Sequence, residues 1–217
     1  MPSFRQLLAE HSPLLLIDAA SSRVQVGWFP HGDPGAAIWT ASDEETGIGL
    51  FRCLDSQQLD LADAKSFVFC DGPGSVLGIR TCAMAVRTWN VVAPRPIFSY
   101  CSLALVAQAL GRADISVIAD ARRELWHRFA VGETLRRVPT AELSGRLATP
   151  ANFRHWSTTP PGVEQVSYDL STLIPAVLDA ELFKVCTEPD AFLHEEPSYV
   201  TWTPKIHRAP EASRALL

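Results

Sequence analysis

The stretch from Phe67 to Val92 constrains this chain more than any other. A short apolar run, Phe67 to Cys70, leads into Gly72-Pro73-Gly74-Ser75 and then into a segment of helical periodicity. An apolar run of that length bounded by turn residues reads as a buried strand. Ser75 is placed to cap the helix, because its hydroxyl accepts from an N–H left unpaired in the first turn. Beyond it, Ile79, Cys82, Ala83, Ala85, Val86 and Trp89 fall on one broad face, while Arg80, Thr81, Arg87 and Thr88 fall on the other. Strand, tight glycine turn and buried helix together predict an α/β protein.

The glycine turn admits two readings. It is a plain strand-to-helix connection, in which glycine permits close approach, or an anion cradle at a helix start. It is neither a Walker loop nor a dinucleotide fingerprint, since the required lysine and glycine spacings are missing.

Composition narrows the function classes. The 217 residues suffice for one domain or two small lobes. A net charge of −5 gives no overall attraction to nucleic acid, so RNA docking would need a local basic patch. No apolar run approaches a membrane span, and Met1 to Ser12 lacks a signal-peptide core. Cys53, Cys70, Cys82, Cys101 and Cys186 are widely spaced without a C-x-x-C, which fits buried thiols in a reducing cytoplasm. The six histidines include no metal-binding pair at helical spacing, and G-x-S-x-G is absent. His127 and His155 are expected to be packed or surface residues.

In chain order, Pro2 to Glu10 predicts a short helix with Phe4, Leu7 and Leu8 inward, stopped by Pro13. Leu14–Asp18 and the alternating Val24, Val26 and Trp28 predict a hairpin. A turn cluster at 31–35 precedes a third strand over 36–40. A helix is expected over 43–56, with Ser42 as its cap and Ile48, Phe51 and Leu54 along one stripe. After Pro94 and Pro96 come a strand at 97–99, a helix over 101–110 closed by Gly111, and a strand over 115–119. Asp120 and Arg122 read as a hairpin turn with a local ion pair, or as interface residues. A strand then runs to Val131. Loops mark the chain from Pro139, a helix capped by Asp169 or Ser171 is expected to reach Leu182, and 208–217 reads as a frayed end.

Gly72-Pro73-Gly74-Ser75-Val76-Leu77-Gly78-Ile79-Arg80 resembles the GPGSFTGLR signature of the TsaB (YeaZ) family, the non-catalytic actin-like partners in bacterial tRNA threonylcarbamoyladenosine (t6A) synthesis. Leu14 to Ser21 resembles that family's opening I-L-A-I-D-T-S. Cys101-Ser102-Leu103 resembles its S-S-L, Asp120 to Trp126 its D-A-R-x-x-E-[VL]-Y, and 196–201 its closing P-x-Y-L-R. The resemblance is firm from Leu14 to Phe129. It implies a two-lobed actin-like (ASKHA, ribonuclease H-like) fold with mixed sheets flanked by helices. The lobes would be 1–98 and 99–217, hinged near Pro94 to Ser102, with residues 1–12 an added arm.

The same resemblance implies a scaffold or activator with no catalytic residue, metal or cofactor of its own, ATP entering only at a complex interface. The partner would be a TsaD-like catalytic subunit, with a TsaE-like ATPase and a homodimer as further associations and tRNA met only through the complex. Asp18, Gly72, Pro73, Gly74, Ser75, Gly78 and Arg80 would be the phosphate-facing set of an actin-like protein. Ile48, Phe51, Leu54, Asp120 and Arg122 would serve lobe or partner contacts. The chain departs from the pattern at Ala19 and Leu77, where hydroxyls are expected near phosphate, and at Thr201, where arginine is expected. The loop between Phe29 and Glu44 is shorter than is usual. Two alternatives stay open: an ASKHA-type kinase or ATPase using Asp18 and the glycine loop, and a diverged glycoprotease-like paralogue with another partner.

Overall fold

A computed structural model describes residues 1–192. The readings of 196–201 and 208–217 lie outside the described residues. Two sheets organise the chain. In the first, β1 (Leu14–Asp18), β2 (Val24–Phe29) and β3 (Ile38–Ser42) form an antiparallel meander. Then β4 (Ser66–Gly72) lies parallel to β1, and β5 (Ile97–Cys101) parallel to β4. The second sheet repeats that plan. Its β6 (Ile115–Asp120), β7 (Leu125–Phe129) and β8 (Arg136–Pro139) are antiparallel. Its β9 (Arg146–Pro150) lies parallel to β6, and β10 (Glu164–Val166) parallel to β9. A short β11 (Lys184–Val185) returns to pair with β5.

Strands buried on both faces explain the continuous apolar runs. All of β1 is buried. Its Leu14 and Leu16 pack into one core, while Leu15 and Ile17 pack into another. The second core is closed by α2 (Thr46–Ser56) and α3 (Val76–Val92). The first holds α1 (Phe4–His11), α4 (Ser102–Leu110) and α5 (Leu170–Ala176), together with Val117 and Ala119 of β6. Leu103, Leu105 and Val106 of α4 are all sealed, which fits a helix between two sheets. The expected boundary at 98/99 falls inside β5.

Several expected elements shift. The third strand covers 38–42 instead of 36–40, because Asp33 caps a 3-10 turn at Pro34–Ala36 first. Ser42 is not the cap of α2. It pairs with Val24 in the ladder, and the helix begins at Thr46 without a side-chain cap. The last helix is capped by Asp169 but ends at Ala176, well before Leu182. Its Pro175 offers no N–H to continue the ladder.

Candidate functional site

The glycine loop and the hairpin turn after β1 meet at the carboxyl ends of the first sheet's strands. Ser75 caps α3 as expected, accepting from the Gly78 N–H at 3.3 Å. The Ser75 N–H donates to the Ala20 carbonyl at 2.7 Å. A Cβ at Gly74 would stand 2.4 Å from that carbonyl oxygen, and one at Gly78 would stand 2.3 Å from the Ala19 oxygen. The loop is thus pressed against residues 19–20. Its glycines serve backbone approach, leaving no room for a phosphate in that seam. Ser102 Oγ ties down the loop from behind by donating to the Pro73 carbonyl. Gly72 and Pro73 are buried, and Gly72 borders a different hollow, together with Asp71, Cys101 and Lys184. Gly74 and Ser75 line an outer hollow, and Gly78 lines the hollow next to it. Arg80 lies outward on α3, 3.3 Å from Asp190.

Asp18 is not a phosphate-facing carboxylate. It is fully buried, with Oδ1 accepting from the Ala20 N–H at 2.8 Å. Its Oδ2 accepts from the hydroxyls of Tyr100 at 2.6 Å and Tyr168 at 2.7 Å. Burial pushes the Asp18 carboxyl above the usual range, and the Tyr100, Ala20 and Tyr168 donors offset only part of that rise. Alongside, Gln25 donates to the Tyr168 carbonyl and accepts from the Leu170 N–H. These bonds join β1 and β2 to residues 168–170. Tyr100, Tyr168 and Gln25 were not singled out by sequence reasoning, because their partners are distant in the chain.

The turn between β6 and β7 is built differently from its expected ion pair. Asp120 accepts from the backbone N–H groups of Arg122, Trp156 and Ser157. Burial acts to raise the Asp120 carboxyl, but the Ser157, Arg122 and Trp156 N–H groups outweigh it and hold it below the usual carboxylate range. Arg122, Arg123 and Glu124 all have positive φ. The Arg122 guanidinium stacks over the Trp156 ring at 4.4 Å. With Arg154 and the start of α3, these residues enclose a hollow of about 290 Å³.

The outer surface of the first sheet's helices carries the expected interface residues unevenly. Leu54 is core, buried with Leu50 and Cys53. Ile48 and Phe51 are each 52% exposed. The inward stripe of α2 therefore runs through Leu50, Cys53 and Leu54, rotated from the one read in the sequence. Along α3, Leu77, Met84 and Val91 are 74%, 55% and 85% exposed. They recur every seven residues, which puts them on one line of the helix. Among the described residues, no group of three or more His, Cys, Asp or Glu side chains could hold a metal ion, and no helix is long and apolar enough to cross a membrane.

No family model and no curated protein matches the chain. Solved structures do. YeaZ from Pseudomonas aeruginosa aligns with a TM-score of 0.56 at 17% identity, over 75% of this chain and 89% of that one. A second structure, an uncharacterized protein with similarity to peptidase YEAZ from the same organism, gives 0.54 at 15%, over 75% and 88%. The likeness shows the two-lobed, actin-like α/β fold.

Proposed function

We propose that this chain is a TsaB-like, non-catalytic subunit that docks through the outer faces of α2 and α3 onto a TsaD-like partner. In that role it supports threonylcarbamoyl transfer to an adenosine beside the tRNA anticodon. The observation that carries the reading is the line of Leu77, Met84 and Val91 on α3, beside the half-exposed Ile48 and Phe51 of α2. Apolar side chains at helical spacing on a surface are the form a helix-to-helix interface takes. The fold shared with YeaZ and the glycine-loop resemblance are what favour a TsaD-like partner in this reading. A TsaE-like ATPase and tRNA would join through the complex, and a second copy of this chain would compete for the same faces.

The kinase alternative draws less support. It needs an accessible carboxylate at Asp18, and that group accepts from two tyrosines inside the core.

The test is sedimentation and copurification with the TsaD-like subunit of the same genome. Met84→Asp is expected to weaken association by about 2 kcal/mol, roughly thirtyfold, if the stripe is an anchor. Its circular dichroism should match the parent, since the side chain is exposed. Association at parental strength in both Met84→Asp and Phe51→Asp would overturn the docking face.

A further inference from the structure

We propose that the hollow between the end of β4 and the β7–β8 turn binds a small apolar molecule that carries a protonated amine. It holds about 390 Å³, within the range of small-molecule sites, and shares no lining residue with the hollows at the start of α3. Both sheets build it. Asp71 comes from β4, Cys101 from β5, Lys184 from β11 and Phe129 from β7, with Ala104 of α4 between the sheets. Leu135 and Leu182 continue the apolar wall. No residue of α2 or α3 takes part, so the site is independent of the docking faces proposed above.

The polar end selects the ligand. Asp71 is only 7% exposed. Its Oδ2 accepts from Ser99 Oγ at 3.0 Å and faces Lys184 Nζ at 2.7 Å. Its Oδ1 receives no hydrogen bond from a described residue, yet that oxygen is not sealed in the core. The open space that Asp71 borders is this hollow. A carboxylate oxygen with unused lone pairs accepts and cannot donate, and its strongest partner is an ionised N–H. The other charged groups at the rim are already matched. Glu133 holds Arg128 at 2.8 Å, and Glu181 faces the Met1 amino group at 3.9 Å. Burial pushes the Cys101 thiol up to about 11, so it lines the space as a neutral group. An anion would have to draw Lys184 away from Asp71, and a buried carboxylate stripped of its counter-charge is strongly unfavourable. A cation instead takes the unused oxygen and leaves the pair in place, while its apolar body packs on Phe129, Leu135 and Leu182.

Titration calorimetry on the chain alone tests this with three probes of one shape: phenethylamine, 2-phenylethanol and phenylacetate. Phenethylamine is expected to bind with a Kd below about 1 mM, the alcohol about fivefold or more weaker, and phenylacetate weakest. Asp71→Asn keeps the shape and removes the charge. It should weaken phenethylamine about tenfold or more and change 2-phenylethanol less than about threefold. Lys184→Met removes the competing cation and should tighten phenethylamine about threefold or more. Should Asp71→Asn fold poorly by circular dichroism, the opposite sign expected of Lys184→Met carries the test alone. Absence of phenethylamine binding, tighter binding of phenylacetate, undiminished binding in a folded Asp71→Asn, or weaker binding in Lys184→Met would each overturn the site.

Discussion

Asp18 shows how a residue can hold its place in a motif and change its task. In the sequence it ends a strand before a turn, where a phosphate-facing carboxylate would stand. In the structure it collects the Ala20 N–H and the hydroxyls of Tyr100 and Tyr168 within the core. Replacing it with alanine strands two buried hydroxyls, each costing about 1–3 kcal/mol when left unpaired. Its ionisation gives a signed expectation. Burial raises the folded-state value, so within that window the native state binds more protons than the unfolded chain. Stability from this group therefore falls as pH rises from the ordinary carboxylate range through the raised value. Asp18→Asn removes that dependence while keeping the shape. The stability difference between parent and variant should shrink in the variant's favour between about pH 4 and pH 7, measured by urea unfolding. A difference that stays flat, or that grows in the parent's favour, would contradict the assignment.

At the scale of elements, local signals were readable and non-local ones were not. The strand, glycine turn and helix from Ser66 to Val92 follow from a continuous apolar run, a serine cap and a helical stripe, all encoded within a few residues. Gly111 closes α4 in a left-handed conformation for the same local reason. Ser42 looked like a cap because capping and strand-ending serines share a sequence context, and only the β2–β3 ladder decides between them. The Asp18 network joins residues 82 and 150 positions apart, beyond any periodicity. Arg154 and Trp156 lie in a stretch with no repeating pattern, so only the Gly74, Ser75, Asp120 and Arg122 side of the hollow they line is legible in the sequence. The helix α1 was legible as a helix but not in its role. Read as an added arm, it instead places Phe4, Leu7 and Leu8 in the main core. The Phe4 ring meets Phe29 at 5.0 Å and Phe183 at 5.2 Å. Phe4→Ala is expected to cost about 3–5 kcal/mol in chemical unfolding. A cost under about 1 kcal/mol would show the arm to be dispensable.

At the scale of the molecule, the two sheets repeat one plan, and beside the cores on their outer faces they share one between them. A single cluster holds Leu14, Leu16 and Val68 of the first sheet together with Val117 and Ala119 of the second, and α4 lies among them. Polar bonds cross the same junction. Tyr168 reaches Asp18, Gln25 reaches Tyr168 and Leu170, and Arg5 holds Asp179 at 2.6 Å and the Leu178 carbonyl at 2.9 Å. Opening a hinge would expose this apolar surface and leave buried donors unpaired, costs that fall on both halves together. The chain should therefore unfold as one cooperative unit. Trp28 in β2 and Trp126 in β7 are buried reporters of the two sheets. Within each variant retaining only one of these two tryptophans, the fluorescence and far-UV circular dichroism transitions should share one denaturant midpoint, and calorimetric and van't Hoff enthalpies should agree. The coupling also bears on docking. A partner that binds only the folded state stabilises by an amount set by its concentration over Kd, shared by everything that unfolds together. A TsaD-like partner on α2 and α3 should therefore raise the transition reported by Trp126 as much as that reported by Trp28. If the Trp28 transition shifts alone, the halves are energetically separate and the shared core does not couple them.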